Sequence, residues 1–457
     1  MKETNQRRDF LKRSALAGVG IAAAPYMSLG KSSDKDKVRI AFIGVGYRGR
    51  NHLQNILANP DVIVPAIADI DPEALKLANE MIDKAGHKKV DVYTGHDYAY
   101  REMLERKDID GVIISTPWLW HTPMAVDTMK AGKYAGVEVS AATTLPECWD
   151  LVNTYEETGS HCMILENVCY RRDVLAVLNM VREGIFGETV HARCGYLHDL
   201  RAVKFNDGKS YSGPGVEFGE NAHAEARWRT QHSLLRNADL YPTHGVGPIA
   251  TMLDINRGNR FMSLTSTSTK AIGLHDYIVK HPAGGPDHPN AKLKWKLGDV
   301  VTTTITTARG ESIIVTHDVN LPRPYSLGFR MQGTGGIIDF DYHTRRLFIE
   351  GQTKDHWWEE ADPHLEKYDH PLWKKFEKEA EGGGHGGMDF FLDRAFVEAV
   401  KRKEYPPMDA YDAAAWSAIT PLSELSIANN GEPQDFPDFT RGRWINNKPI
   451  FAIREDY

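Results

Sequence analysis

Val38-Arg39-Ile40-Ala41-Phe42-Ile43-Gly44-Val45-Gly46-Tyr47-Arg48-Gly49 is the stretch that decides the fold. Its first six residues read as a buried strand, and glycines 44, 46 and 49 follow directly, ahead of a helical stretch at 50–58. Glycines at this spacing let backbone approach a pyrophosphate at a helix N-terminus. A second strand, 62–68, ends at Asp69. A carboxylate there can accept the adenosine ribose hydroxyls and would repel the extra phosphate of NADP. Strand, glycines, helix, strand and acid in register predict a Rossmann domain that binds NAD.

The alternation continues outward with a strand at 109–116, a helix at 123–131 that Gly132 can cap, a strand at 135–139 and a helix at 145–158. Ligands bind beyond the carboxyl ends of such strands. The cofactor-binding candidates are therefore Gly44, Gly46, Tyr47, Arg48, Gly49, Asp69, Trp118, His121, Glu138 and Val139. An apolar strand at 163–167 ends in Glu166-Asn167, and a helix is expected over 174–184. Later stretches, 189–195, 261–271, 300–307, 312–318 and 326–333, are rich in Thr, Ile and Val and alternate as strands do. The expected fold is α/β: an N-terminal Rossmann domain, 34–165, and a C-terminal α+β domain, 166–457, with a large, mostly antiparallel open sheet covering the substrate. Two loops, 204–221 and the glycine run 382–387, are candidate active-site loops.

At 457 residues the chain has room for two domains. A net charge of -7 gives no footprint for nucleic acid and favours small-molecule chemistry. Cys148, Cys162, Cys169 and Cys194 lack CxxC spacing, so no metal site is expected, while disulfides stay open. The 10 Trp and 18 Tyr suit flat contacts with sugar rings. Arg7-Arg8-Asp9-Phe10-Leu11-Lys12 reads as a twin-arginine export signal, followed by a charge-free, Ala- and Gly-rich run, 14–30, too short and weak to span a bilayer stably. Residues 1–33 are the expected signal peptide, and the mature protein is expected in the periplasm.

"AFIGVGYRGR", "VIISTPWLWHTPMAVDTMKAGKYAGVEVS" and their spacing resemble the Gfo/Idh/MocA family of NAD(P)-dependent sugar oxidoreductases. That family usually carries Glu-Lys-Pro where this chain has Glu138-Val139-Ser140, and an Asp where Leu240 stands, four residues before His244. Both departures imply altered chemistry. The twin-arginine start, Glu138-Val139, Glu166-Asn167, "YLHDLR", "YPTHGVGPIA" and "GGGHGGMDFF" together resemble glycoside hydrolase family 109, the NAD-dependent α-N-acetylgalactosaminidases, over nearly the whole chain.

The resemblance implies an elimination-addition hydrolysis of a glycan bearing N-acetylgalactosamine. NAD⁺ oxidises the sugar at C3, which acidifies the C2 proton. A base takes that proton, the aglycone leaves C1, water adds back and NADH reduces C3 again. The cofactor is regenerated each turn, which fits export away from a soluble NAD pool. Carried over residue by residue, the catalytic roles fall on Tyr196, His244, Glu166 and His198, and substrate contact on Tyr196, Arg227, Tyr241, His244 and Tyr325; Asn167 joins the cofactor set. Tyr196 is the expected C2 base, its phenol needing a lowered pKa from NAD⁺ or an adjacent His. His244 would handle the C3 hydroxyl proton, and Glu166 would assist the leaving group or water. The paired-carboxylate route has no recognisable motif here. Two other readings stay open: an exported sugar oxidoreductase with tightly held NAD(P), and a non-catalytic sugar- or nucleotide-binding protein. Oligomeric state is also open.

Overall fold

The computed structural model describes residues 37–210, 213–341 and 344–457; the twin-arginine segment lies outside them. The described residues form two sheets. The first contains β1 (Val38–Ile43), β2 (Val62–Ile63), β3 (Ala66–Ala68), β4 (Asp91–Tyr93), β5 (Gly111–Ile114), β6 (Tyr134–Val137) and β7 (Cys162–Ile164). Its order is β4-β3-β1-β5-β6-β7, with β2 beside the start of β1 and every pairing parallel. β1 and β5 are buried almost throughout, as a sheet covered on both faces requires.

Two local expectations shift. The strand expected over 62–68 breaks into β2 and β3 around Pro65, which has no N–H for a ladder. The helix after the fingerprint, Tyr47–Ala58, starts inside it with Gly46 as N-cap. Similarly, Trp118 to His121 form the opening of the helix Trp118–Lys130, entered through Pro117 at φ -58°, a value proline prefers.

The second sheet contains β8 (Thr189–Leu197), β9 (Phe261–Ser268), β10 (Val300–Thr307), β11 (Ser312–Asp318), β12 (Phe329–Gly333), β13 (Gly336–Phe340), β14 (Arg345–Ile349), β15 (Glu359–Glu360) and β16 (Gln434–Asp435). Its order is β15-β14-β13-β12-β8-β11-β10-β9-β16, antiparallel except for the β8–β11 pair. Period-two burial is clear on β10, where Val301, Thr303, Ile305 and Thr307 face inward. The same alternation on β8 buries Ala192, Cys194 and Tyr196. All four cysteines are free and buried, which closes the disulfide question the sequence left open.

The helix Met388–Arg402 carries the C-terminal half onto the Rossmann sheet. Its Phe396 ring lies so close to β6 that a Cβ on Gly136 would meet it at 3.0 Å. Beside this apolar contact sits a buried charge network. Arg48 donates from Nε to Glu138 Oε1 at 2.6 Å and from Nη1 and Nη2 to the two oxygens of Asp389 at 2.6 and 3.1 Å. His52, fully buried, bridges Glu138 at 2.8 Å and Asp393 at 2.6 Å. Burial alone pushes an imidazole down, but the Asp393 charge and the bonds to both carboxylates outweigh it and the nearby Arg48, lifting His52 to about 9.

A raised folded-state value stabilises the fold fully below the unfolded histidine's pKa of about 6.5, and that contribution is lost as pH rises through the folded value. Urea unfolding of the wild type is expected to lose on the order of 3 kcal/mol from this group between about pH 6.5 and 9. His52→Asn, uncharged at every pH, should remove that slope; an unchanged slope would show that His52 is not the titrating group.

Candidate active site

A cavity of about 610 Å³ opens at the carboxyl ends of the parallel strands and reaches the inner face of the second sheet. This size is ordinary for a small-molecule or cofactor site. Gly44 at one end has φ +86°, and a Cβ on it would meet Ser115 O at 2.7 Å, so only glycine can make this turn. A Cβ on Gly46 would meet nothing within 4 Å. The helix that follows has no side-chain cap and no acid in its first turn. Its leading N–H groups are therefore open to an anion.

Asp69 lines the cavity at the end of β3. It accepts from Val45 N at 2.7 Å and Asp71 N at 2.9 Å, bonds that counter the upward push of burial on its carboxyl. A carboxylate has about four acceptor positions, so capacity for ribose hydroxyls remains. Ser115 Oγ and Asn167 Oδ1 are buried, lack partners and belong to residues lining the same space. Open helix N–H groups, a strand-end acid and two unsatisfied polar atoms fit a dinucleotide. Trp118, His121, Glu138 and Val139 also line the cavity. Arg48 and Glu138, however, are largely committed to each other and to Asp389, His52 and Val139 N, so they form wall more than free contacts.

At the other end, the helix Thr243–Met252 packs directly onto β8. A Cβ on Gly245 would meet Gly195 N at 2.5 Å, and one on Gly247 would meet Glu166 Cγ at 2.9 Å. These close approaches set His244 between Glu166 and Tyr196. His244 Nδ1 lies 2.8 and 2.9 Å from the two oxygens of Glu166, and its ring is 5.2 Å from that of Tyr196. With Nδ1–H donating to the carboxylate, the lone pair belongs to Nε2 on a ring that lines the cavity.

Tyr196 lines the cavity, with its hydroxyl 3.0 Å from His198 Nδ1. Tyr241 packs at 4.9 Å from the Tyr196 ring and stacks on Trp118 at 5.7 Å. His198 and Tyr325, 5.1 Å apart, stand behind Tyr196 and outside the cavity lining. Burial, opposed in part by Arg171, leaves the Tyr325 phenol pushed up to about 12.

Several expectations change here. Burial pushes the Tyr196 phenol up, against the expectation of a lowered value, and Arg229 is the charge that opposes it. The adjacent His198 supplies none, because burial and the charges of Arg229 and His244 push it down to about 4. Glu166 is completely buried, bonded to His244 and absent from the lining, so it has no direct reach to a leaving group or water. Arg227 lines the cavity from an exposed position, and Arg229, buried and held by Glu225 at 2.5 Å, adds a second cation to the lining. Its guanidinium lies 4.8 Å from the Tyr241 ring centre and 5.2 Å from that of Trp118. In the expected loop 204–221, Lys204 is buried and none of its described residues lines the cavity; His223, Ala224, Glu225, Arg227, Trp228 and Arg229 do instead.

Sequence reasoning missed Arg229, Asp389 and His385. Arg229 sits two positions from Arg227 where a 3-10 turn passes into a helix, so no simple period says which arginine is buried. His385 and Asp389 lie in the noted "GGGHGGMDFF" stretch, where a histidine and an acid four apart at a helix start were the available signal.

Residues 38–165 match the oxidoreductase family described as an NAD-binding Rossmann fold, and residues 170–446 match the C-terminal domain of glycosyl hydrolase 109. The chain is 51% identical to an alpha-N-acetylgalactosaminidase of Tannerella forsythia, covering 98% of this chain and 100% of that one. It is 42% identical to the alpha-N-acetylgalactosaminidase of Shewanella oneidensis, covering 98% of each. Among solved structures, a levoglucosan dehydrogenase in complex with NADH and L-sorbose aligns with TM-score 0.63 at 21% identity, covering 88% of this chain and 99% of that one. The last likeness is one of fold. The chain belongs to glycosyl hydrolase family 109, and its N-terminal half is an NAD-binding Rossmann domain.

Asp69→Ala removes the expected ribose acceptor and the bond to Val45 N, leaving donors unpaired at about 1–3 kcal/mol. NAD retention through gel filtration, read by nucleotide absorbance, is expected to fall, with excess NAD restoring part of the activity. Retention equal to wild type would mean that Asp69 does not hold the cofactor.

Proposed function

We propose that this protein hydrolyses the bond of a terminal α-linked N-acetylgalactosamine by NAD-dependent elimination and addition. The observation that carries the reading is the joining, in one cavity, of the cofactor cradle at Gly44 to Asp69 with the His244–Glu166 pair and Tyr196. The two named N-acetylgalactosaminidase relatives support the substrate class. Bound NAD supplies reversible oxidation at the sugar's C3.

The chain's own groups handle protons and position. His244 Nε2 takes the C3 hydroxyl proton, and buried Glu166 fixes the ring's tautomer and balances the imidazolium. Tyr196 takes the C2 proton. For this the phenol must first have lost its own proton, a state that burial opposes and the Arg229 charge favours, and His198 Nδ1 lies 3.0 Å from the oxygen. Arg229 stabilises the phenolate character that develops. Trp118, Tyr241 and Arg229 form a stacked wall against which a sugar can seat.

The sugar-oxidoreductase alternative lacks support at the lysine position, where Val139 is a buried apolar side chain. Among the described residues, no lysine lines the cavity. An aryl α-N-acetylgalactosaminide should be hydrolysed without added cofactor, and in D₂O the product should carry deuterium at C2 by NMR. Tyr196→Phe should lower hydrolysis by roughly 100-fold or more while an NADH absorbance still rises on adding substrate; His244→Ala should lose both. No deuterium at C2, or full activity of Tyr196→Phe, would overturn this mechanism.

We also infer export by the twin-arginine pathway, motivated by Arg7-Arg8 and the charge-free run after them. An enzyme that regenerates its cofactor each turn can work where no NAD pool exists. Replacing both arginines with lysine should leave active, NAD-loaded protein in the cytoplasmic fraction; unchanged periplasmic recovery would refute this route.

A further inference from the structure

Trp118, Tyr241 and Arg229 line a second, small cavity of about 10 Å³, which they share with Lys204, Ser233 and His317. That is room for one water-sized body. His317 stands on β11 in register with Tyr196 of β8, and both side chains are buried. Among the described residues, no carboxylate lines this space.

Lys204 is buried and carries its charge without a bonded counter-ion. Its Nζ donates to Ser233 Oγ at 2.9 Å and to Asn320 Oδ1 at 2.6 Å, both neutral acceptors. An ammonium has three donors, so one remains. Asp299 is the carboxylate whose field favours the charged form, but its oxygens accept from Ile272 N and Gly273 N. Burial and the neighbouring charge of Arg229 outweigh it and push the ammonium well below the usual lysine range. His317 Nδ1 is likewise buried and has no partner. Burial and the charges of Lys204 and Arg229 push that imidazole down, so the ring is neutral and keeps one N–H to offer. Arg229 gives Nη1 to Glu225, a residue on the large cavity and not on this one, and retains further donors.

We propose that this small cavity is a halide site, in which one chloride-sized anion accepts from Lys204 Nζ, His317 Nδ1 and the Arg229 guanidinium. The charged lining groups can only donate, so a water here would leave hydrogens of its own unused, whereas a halide only accepts. A polyatomic oxyanion is too large for the space. The anion supplies the counter-charge that a buried ammonium requires. Lys204 then keeps its bond to Ser233, on the short helix Arg229–Leu235, and so holds Arg229 against Tyr241 and Trp118. The site stands on this geometry alone and requires neither NAD nor a sugar.

Two measurements on the full-length protein test it. In the first, the melting temperature is followed as sodium gluconate is replaced by sodium chloride at constant ionic strength. Wild type should gain about 2 °C along a saturating curve, as linkage to a ligand of the folded state requires. Lys204→Met, which keeps the length of the side chain and deletes the charge, should lose that gain. His317→Leu leaves both bonds of Lys204 in place, and should raise the half-saturating chloride concentration about tenfold, the effect of one lost hydrogen bond to an ion. In the second, crystals grown with sodium bromide should show an anomalous peak between Lys204, His317 and Arg229. A water or nothing at that position overturns the proposal, as does a gain that fails to saturate or is the same in wild type and Lys204→Met. A bromide peak without a saturating gain in solution means binding at crystal concentration only, and overturns it too. If Lys204→Met does not fold, His317→Leu decides, an unchanged chloride curve standing against the site.

Discussion

The buried ion network centred on Arg48 is the constraint on which the rest of this structure depends. Its guanidinium joins Glu138, at the end of a Rossmann strand, to Asp389, at the start of the helix that the C-terminal half lays against the same sheet. His52 repeats the connection one turn further along, between Glu138 and Asp393. Charges withdrawn from water in this way are costly unless every partner is present, and removing one partner leaves the others unpaired. Desolvation pushes the carboxyls of Glu138 and Asp389 up, yet the Arg48 charge holds both well below the usual carboxylate range. The network thus fixes the helix register at which the floor and the far wall of the cavity meet.

Within that frame, the reactive end is set by the smallness of two glycines more than by attraction. Gly245 against Gly195, and Gly247 against Glu166, bring the helix Thr243–Met252 close enough for His244 to touch a fully buried carboxylate on one side and face Tyr196 on the other. A side chain at either position would push the helix outward and separate groups that must lie within hydrogen-bond reach. Arg229, stacked on Tyr241 and Trp118 and anchored by Glu225, adds a desolvated cation to a pocket otherwise walled by phenols and imidazoles.

The site combines two functions that other folds often separate. In the proposed mechanism, dinucleotide binding uses backbone N–H groups and Asp69, whereas proton handling uses side chains from β8 and from the helix packed on it. The carboxylate paired with His244, that of Glu166, comes from just beyond β7, the edge of the Rossmann sheet. Cofactor and substrate chemistry therefore share one structural seam.

The strand-glycine-helix-strand-acid series was legible because each step is local: glycine spacing, an apolar strand and an acid at its end follow from a few adjacent residues. The Thr-, Ile- and Val-rich strands were legible for the same reason, and β10 and β11 match their expected limits. The identities of Tyr196, His244 and Tyr241 came from motif resemblance, since an isolated Tyr or His has no local signature. What only the tertiary structure decided was direction and company. It buried Arg229 beside an exposed Arg227 on the same lining, buried Glu166 behind His244, held the Tyr196 phenol high, and brought Asp389 and His385 to the cofactor cleft from more than 300 positions beyond Arg48. Period and propensity describe one segment at a time. Burial, charge pairing and close approach belong to pairs of segments that meet only when the chain folds.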